Sequence, residues 1–231
     1  MDYPRWQLHR GYWKKGFREN TMEAFCEAKK VGCEMVELDV HLSRDGIPHI
    51  FHDFRLKKFF KINKRVEQMK TEDLAALNIQ TLAEVIESDD VPQFLNIEIK
   101  SIAILGRKII REVSRLIHSF QETEKCFLIS SFNPMVLFWS HKLLPEIPTG
   151  LIIGDKKLLM DWKFKVSFWI ANPDYLNVHF SLIDDEEAFE RVQSCRRPLM
   201  VWTVNDHDKA EVYLTSCVDS VISDLPPISN L

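Results

Sequence analysis

Short apolar runs alternate with segments of helical spacing along almost the whole of this 231-residue chain. This alternation is typical of repeated strand–helix units, in which helices cover a parallel sheet. Eight of the runs have the length of a strand, and eight parallel strands close a barrel. The predicted strands are Arg5 to His9, Met35 to Val40, Phe94 to Lys100, Cys126 to Ser131, Thr149 to Ile153, Tyr175 to Phe180, Leu199 to Val204 and Ser220 to Ser223. We therefore expect the α/β fold of a TIM (β/α)8 barrel.

The segment between the second and third predicted barrel strands is longer than the others. Asp45-Gly46 is a turn signal, and Pro48 to Asp53 after it has the pattern of a short extra hairpin strand. A basic stretch, Lys57 to Lys70, follows, and Thr71 then begins a helix. We predict a short insertion after the second barrel strand that is too small to form a second core.

Composition excludes several classes of protein. The chain has no Gly-, Ser- or Pro-rich linker, so we expect a single domain over residues 1–231. A net charge of −4 gives no overall attraction for nucleic acid. The five cysteines are scattered without a Cys-x-x-Cys pair, which predicts reduced packing residues. No leader-like run and no apolar stretch of membrane-spanning length is visible, so a cytoplasmic location without stable membrane insertion is expected.

Two predicted barrel strands carry inward carboxylates. Glu37 and Asp39 are two residues apart in an apolar strand, so both side chains point to the same face. Glu98 and Lys100 repeat this spacing in the next barrel strand. The carboxylates could lie at strand ends in water or in salt bridges. If they meet, three carboxylates form a hard oxygen site that suits Mg²⁺ or Ca²⁺.

Two histidines follow strands in positions where a TIM barrel places its catalytic loops. His9 ends the first strand, and His52 follows the short extra strand. Either histidine alone is more often structural than catalytic. Together with Arg10, whose planar guanidinium suits phosphate, they provide two acid/base candidates and an anion-binding group. The set is more specific than any of its members.

These residues resemble the motifs of the glycerophosphodiester phosphodiesterase family. The resemblance extends over nearly the whole chain, in the same order, through His9-Arg10-Gly11, Glu19-Asn20-Thr21, Glu37-Leu38-Asp39, Asp45-Gly46, His52-Asp53, Glu98-Ile99-Lys100 and Trp202-Thr203-Val204-Asn205. The chain departs from the family pattern in two places. Arg18 stands where the family usually has proline, and the family's closing Gly-Val-Asp-Gly-Ile-Ile-Thr-Asp reads Cys217-Val218-Asp219-Ser220-Val221-Ile222-Ser223-Asp224.

The resemblance implies a function and a role for each motif. It implies metal-dependent hydrolysis of glycerophosphodiesters to glycerol 3-phosphate and an alcohol. The implied metal ligands are Glu37, Asp39 and Glu98, the implied acid/base pair is His9 and His52, and the implied substrate-binding residues are Arg10, Lys100 and Trp202. The expected partner is a small glycerophosphodiester. Which histidine is the acid stays open.

Two other functions are compatible with the same residues. One is phospholipase D-like cleavage of lysophospholipids or sphingolipids, which would require an exposed apolar channel or rim near Phe59-Phe60. The other is a barrel that only binds a phosphorylated ligand, for which a paired acid and base would be unnecessary. The aromatic stretch with Trp162, Phe164, Phe168 and Trp169 could contact a membrane, but we expect it to pack on the barrel as a helix.

Overall fold

Parallel strands dominate the computed structural model, which describes residues 3–101, 106–120 and 124–227. The strands of these residues are β1 (Trp6–His9), β2 (Met35–Leu42), β3 (Pro48–Ile50), β4 (Phe94–Ile99), β5 (Cys126–Ser131), β6 (Thr149–Ile153), β7 (Tyr175–His179), β8 (Leu199–Trp202) and β9 (Ser220–Ser223). Each of the eight predicted barrel strands is present, and its ends agree with the prediction to within two residues, whereas the extra strand ends at Ile50, three residues before the predicted Asp53. All the barrel pairings are parallel.

The sheet closes on itself. Its strand order is β1-β9-β8-β7-β6-β5-β4-β2, and β1 also pairs with β2. In the closing registers, Leu8 lies opposite Val36 on β2 and opposite Ser223 on β9. The extra strand β3 pairs antiparallel with the far end of β2, where Val40 is opposite Ile50. The predicted TIM barrel with an added strand is therefore confirmed.

Helices cover the outside of the barrel. In the described residues they are α1 (Met22–Lys30), α2 (Lys57–Phe60), α3 (Thr71–Ala75), α4 (Leu82–Glu87), α5 (Arg107–Ser119), α6 (Pro134–Leu143), α7 (Lys156–Met160), α8 (Trp162–Ala171), α9 (Glu186–Gln193) and α10 (His207–Ser216). The first outer helix, α1, begins after Thr21, whose side chain accepts a hydrogen bond from the Ala24 amide at 3.4 Å.

The two faces of the barrel strands are buried in different surroundings. Val36, Leu38 and Val40 are fully buried and belong to the main apolar core beneath the helices. On the opposite face, polar side chains meet inside the barrel. Asn96 donates to Gln7 at 2.9 Å and accepts from Ser130 at 2.8 Å. Because these buried groups satisfy one another, the barrel interior tolerates a polar layer beneath its mouth.

The insertion between β2 and β4 has an apolar cluster of its own. The cluster consists of Phe51, Leu56, Val66, Met69, Leu74 and Ile79. The expectation that the insertion is too small for a second core was therefore wrong. The rings of Phe59 and Phe60 lie 6.0 and 6.1 Å from that of Phe51. They pack on this cluster and do not form the apolar rim considered from the sequence.

The aromatic helix α8 only partly follows its prediction. Phe164 is buried and Phe168 packs against the core, as expected. Trp162 and Trp169 are 69% and 80% exposed, so the expectation that they pack on the barrel was wrong. The cysteines are all free, as predicted. Among the described residues, no helix has both the length and the apolar character needed to span a membrane.

Candidate active site

The three predicted carboxylates meet at the carboxyl end of β2 and β4. Asp39 lies opposite Glu98 in the strand register, and Glu37 precedes Asp39 on the same face. One oxygen atom of each carboxylate lies within 4.8 Å of the others, and all three residues are buried. The alternative that these groups lie in water at strand ends is excluded, whereas the salt-bridge alternative is present as well, because Arg10 and Lys100 form ion pairs with the cluster.

Two basic side chains contact this carboxylate cluster. Arg10 Nε lies 3.3 Å from Asp39 Oδ2, and Lys100 Nζ lies 2.9 Å from Asp39 Oδ1. Lys100 Nζ also lies 2.5 Å from Glu98 Oε1. The sequence predicted Arg10 and Lys100 as substrate-binding residues, and the structure places both at the cluster. Their positive charges partly compensate for three buried acids.

The carboxylates differ in their electrostatic environments. Burial, followed by repulsion from Asp39 and Glu98, raises the pKa of Glu37 well above its usual range. Burial also acts on Asp39, but Lys100 and Arg10 outweigh it and hold the pKa of Asp39 below its usual range. Burial raises the pKa of Glu98 despite the attraction of Lys100. Glu37 is therefore the member of the cluster with the least compensation for its charge.

Both predicted catalytic histidines line the same pocket, and each is held by an aspartate. His9 Nδ1 lies 2.8 Å from Asp224 Oδ1, and His52 Nδ1 lies 2.7 Å from Asp53 Oδ1. Because a carboxylate can only accept, each Nδ1 must be the donor, and Nε2 of a neutral ring keeps its lone pair. Both rings therefore have a defined tautomer for proton transfer.

The two histidines have different charged neighbours. His9 Nε2 lies 4.0 Å from Glu37 Oε2. Burial lowers the pKa of His52; the Asp39 charge opposes this effect, and the charges of Lys100 and Arg10 support it. His52 is consequently neutral at neutral pH.

Motif residues in the loop that follows β1 position two of the three carboxylates by hydrogen bonds. Arg10 and Asn20 have left-handed backbone conformations, with φ of 59° and 57°. The Arg10 amide donates to Glu37 Oε2 at 3.1 Å, and Asn20 Nδ2 donates to Asp39 Oδ2 at 2.7 Å. Asn20 Oδ1 also accepts from the Asp39 amide at 3.1 Å. The Glu-Asn-Thr motif thus orients a carboxylate of β2.

The pocket above the carboxylates is an open cavity with an aromatic wall. The Trp202 and Phe132 rings meet edge to face at 6.0 Å, and Trp202 Nε1 donates to the Asn177 carbonyl at 3.1 Å. A Cβ atom at Gly154 would lie 3.5 Å from the Phe132 ring, so the end of β6 passes close behind this wall. Trp202 lies where the sequence predicted a substrate contact.

Sequence reasoning missed several residues of the site. Asp224 was noted only as part of the closing segment, and Asn205 only as the last residue of the Trp202 motif. In the structure, Asn205 Nδ2 donates to Asp224 Oδ2 at 2.7 Å, and Asn205 Oδ1 accepts from the Asp224 amide at 2.9 Å. Phe132 and Asn177 also line the pocket. The signals for Asp224 were its position directly after the last strand, at the barrel mouth, and its match to the final aspartate of the family's closing segment.

Comparisons with known proteins agree with this geometry. A sequence profile of the glycerophosphoryl diester phosphodiesterase family matches residues 9–227. A glycerophosphodiester phosphodiesterase of Caldanaerobacter subterraneus subsp. tengcongensis is 30% identical, over 94% of this chain and 93% of the relative.

Solved structures give the same result. A phosphodiesterase of Oleispira antarctica in complex with the product sn-glycerol-3-phosphate has a TM-score of 0.81 and 26% identity, covering 96% of this chain and 94% of its own. A glycerophosphodiester phosphodiesterase of Thermotoga maritima has a TM-score of 0.74 and 29% identity, covering 97% and 96%. With the profile match extending across the barrel, the chain belongs to the glycerophosphoryl diester phosphodiesterase family.

Proposed function

We propose that this protein hydrolyses glycerophosphodiesters to glycerol 3-phosphate and an alcohol in the pocket between His9 and His52. The observation that carries the proposal is the convergence of three buried carboxylates, two basic side chains and two aspartate-held histidines at one barrel mouth. Family membership supports the substrate class. A protein that only binds a phosphorylated ligand would not need two oriented histidines.

The carboxylate cluster fits a divalent cation. Glu37 Oε1 is buried and receives no hydrogen bond from the described residues, so one oxygen of the cluster is unpaired. An all-oxygen donor set is the kind that Mg²⁺ and Ca²⁺ prefer. We propose that Glu37, Asp39 and Glu98 hold one such ion. When bound, it would supply Lewis-acid stabilisation of charge on the phosphoryl oxygens.

Arg10 and Lys100 are proposed to bind the phosphoryl oxygens of the substrate. Both reach the pocket from the rim of the carboxylate cluster, and both stay positively charged. Burial by itself lowers the pKa of each, but the neighbouring carboxylates outweigh this effect and raise it. Fixed positive charges in a partly buried site stabilise the charge that grows on the phosphoryl group during displacement.

His52 and His9 are proposed to move the protons of the reaction. His52 is neutral, donates Nδ1–H to Asp53 and offers Nε2 as a proton acceptor for the nucleophile. His9 is then the group that donates a proton to the leaving alkoxide. Asp224 holds its ring so that Nε2 faces the pocket.

Release of glycerol 3-phosphate tests the proposed function. The purified protein would be incubated with glycerophosphocholine or glycerophosphoethanolamine, with Mg²⁺ or Ca²⁺ and with a chelator. We expect ion-dependent release from both substrates with little discrimination, because few polar side chains of the pocket are available to read the alcohol. A protein that binds these diesters but releases no product with either ion would contradict hydrolysis. A strong preference for one headgroup would contradict the open-pocket interpretation.

A second substrate class has one specific observation in its favour. Phe54 and Phe132 are 39% and 48% exposed, and they line a groove that adjoins Glu98 and Lys100. Such an aromatic groove could accept the acyl chain of a lysophospholipid. If it does, lysophosphatidylcholine should be cleaved at least as well as glycerophosphocholine, and Phe132→Ser should weaken cleavage of the lysolipid more. Cleavage restricted to the water-soluble diester would exclude this class.

Domain organisation and location stay predictions. A single domain over residues 1–231 predicts one cooperative unfolding transition, which calorimetry would measure. The cytoplasmic location is testable by fractionation of the source cells.

A further inference from the structure

Helix α8 carries apolar side chains on two sides. Phe164 and Ala171 face inward and are buried. Trp162, Val166 and Trp169 are 69%, 43% and 80% exposed. Their spacing of four and three residues places them on one face of the helix, away from the core. The outward face therefore carries three large apolar side chains that face solvent in this structure.

The apolar surface continues onto α7. Leu158 and Met160 are 42% and 44% exposed and lie just before Trp162 in the chain. We refer to Leu158, Met160, Trp162, Val166 and Trp169 as the α7–α8 patch. Single exposed apolar residues are common on protein surfaces, whereas several together mark a surface that contacts something. Two largely exposed tryptophans make this patch unusual.

Positive charges are interleaved with the patch. Lys157, Lys163 and Lys165 are exposed, and none of them forms a salt bridge with a residue in the described ranges. Asp155 and Asp161, the N-caps of α7 and α8, accept hydrogen bonds from the Leu158 and Lys163 amides at 3.0 and 2.9 Å. Residues 155–171 thus carry four lysines against two aspartates, on a protein whose net charge is −4.

This combination favours a lipid surface over a second copy of the chain. Lysine is depleted in the centres of protein interfaces, but Lys165 lies on the same face as Trp162 and Trp169. In a two-fold contact centred on this face, two Lys165 ammonium groups would approach each other. At an anionic bilayer, tryptophan rings lie at the headgroup level and lysines reach the phosphates. The positive charge of the patch therefore complements an anionic membrane and would repel the same patch on a second copy of the chain.

The patch lies on a helical segment that begins at the pocket end of the barrel. Gly154, directly after β6, is in contact range of the Trp202 and Phe132 rings, and α7 begins two residues later at Lys156. From there α8 returns toward the start of β7 at the other end of the barrel, so Trp169 lies about 10 Å further along the helix axis than Trp162, away from the pocket.

We propose that the α7–α8 patch binds peripherally to anionic lipid surfaces. This binding does not depend on the proposed hydrolysis, because neither the patch tryptophans nor the lysines line the pocket. It also needs no spanning helix, only partial burial of the two tryptophan rings at the interface.

Vesicle sedimentation tests the proposal without substrate. The full chain would be mixed with phosphatidylcholine vesicles with and without about 30% phosphatidylglycerol. We expect binding to the anionic vesicles that weakens as NaCl rises from about 0.1 to about 0.5 M. The double variant Trp162→Ser/Trp169→Ser should bind at least about tenfold more weakly, and Lys163→Glu/Lys165→Glu should lose the preference for anionic lipid.

Matched controls separate this outcome from unfolding and from self-association. Val212→Ser changes a residue that is 62% exposed on α10, outside the patch, and should bind like the parent. Circular dichroism and glycerophosphocholine turnover should be unchanged in the tryptophan variant. Equal binding to both vesicle types, or parent-like binding of the tryptophan variant, would overturn the proposal. So would a dimer in sedimentation velocity that depends on the tryptophans, together with no vesicle binding.

Discussion

His9 Nδ1 and Asp224 Oδ1 are 2.8 Å apart, although 215 positions separate them in the chain. Asp224 is buried, which by itself raises its pKa, but hydrogen bonds from His9 and Asn205 outweigh burial and lower it. The carboxylate is therefore ionised at neutral pH and can only accept from His9. This contact sets the tautomer of a proposed catalytic histidine from the opposite end of the sequence.

Replacing Asp224 by Asn should lower kcat by roughly 10²-fold or more with a much smaller change in KM. An amide can present N–H to Nδ1 and favour the wrong tautomer of His9. The measurement is the pH profile of kcat and kcat/KM. Asp208→Asn, a change at an exposed position on α10, is the matched control and should behave like the parent. Equal loss in both variants, or no loss in Asp224→Asn, would contradict the positioning role.

His9→Ala and His52→Ala should each lower turnover of glycerophosphocholine by roughly 10²- to 10⁴-fold while folding is retained. A nitrophenyl diester, whose leaving group needs little protonation, distinguishes their roles. His9→Ala should recover much of its activity on this diester, and His52→Ala should not. The opposite pattern would reverse the proposed acid and base, and parent-like turnover of both variants would remove both roles. His118→Ala, at an exposed position on α5, is the control.

Glu37→Gln should abolish ion-dependent activity but leave the ion-free protein at least as stable as the parent. The pKa of Glu37 is raised by burial and by two neighbouring carboxylates, so a neutral amide relieves repulsion. Thermal unfolding with and without millimolar Mg²⁺ or Ca²⁺ measures the stability of the parent and of the variant in each state. The parent should gain Tm with ion concentration and the variant should not. Glu146→Gln, an exposed change, should respond like the parent. An ion-dependent Tm gain in Glu37→Gln equal to that of the parent would argue against this ligand.

Ion affinity should increase with pH. A raised pKa means that Glu37 keeps its proton to higher pH than an ordinary glutamate, and the ion must displace that proton. Affinity is therefore weak below the raised pKa and rises as pH passes through it. Calorimetric titration in buffers of different ionisation enthalpy should show proton release on binding. An affinity independent of pH between about 4 and 7 would contradict this linkage.

Gly11→Ala should destabilise the fold more than Gly32→Ala. Both glycines have left-handed backbone, with φ of 79° and 78°. A Cβ at Gly11 would lie 2.8 Å from a backbone carbon of Ala24, whereas a Cβ at Gly32 would have no neighbour within 4 Å. Strain alone costs about 1–2 kcal/mol at either position, and the clash at Gly11 adds about 1–3 kcal/mol. Urea unfolding of both variants measures the difference. Equal losses of unfolding free energy in the two variants would show that α1 moves to relieve the clash with Ala24.

The fold was predictable because each strand is encoded locally. Runs such as Met35 to Val40 alternate inward acids with outward aliphatic residues, and that pattern specifies both the strand and its buried faces. Glu37, Asp39 and Glu98 could be placed together for the same reason, since parallel neighbours bring their carboxyl ends to one rim.

The missed features depend on contacts between distant segments. Asp224 becomes a partner of His9 only when β9 pairs with β1; the predicted barrel implies that pairing, but the residues around Asp224 do not indicate which side chain it contacts. Trp162 and Trp169 were misplaced because the apolar residues of α8 are spread around the helix, with Lys163, Lys165 and Ser167 between them. Its sequence therefore does not indicate which side packs on the barrel.

The pairing of β1 with β9 also sets when the enzyme can first work. His9 is made 215 residues before Asp224, and β9, the strand that pairs with β1, is made just before Asp224. The barrel cannot close, and His9 cannot be oriented, until synthesis has passed Asp224. Truncated chains that end before residue 220 contain the carboxylates of β2 and β4 but lack β9 and Asp224. We expect them to be inactive, because nothing then orients His9.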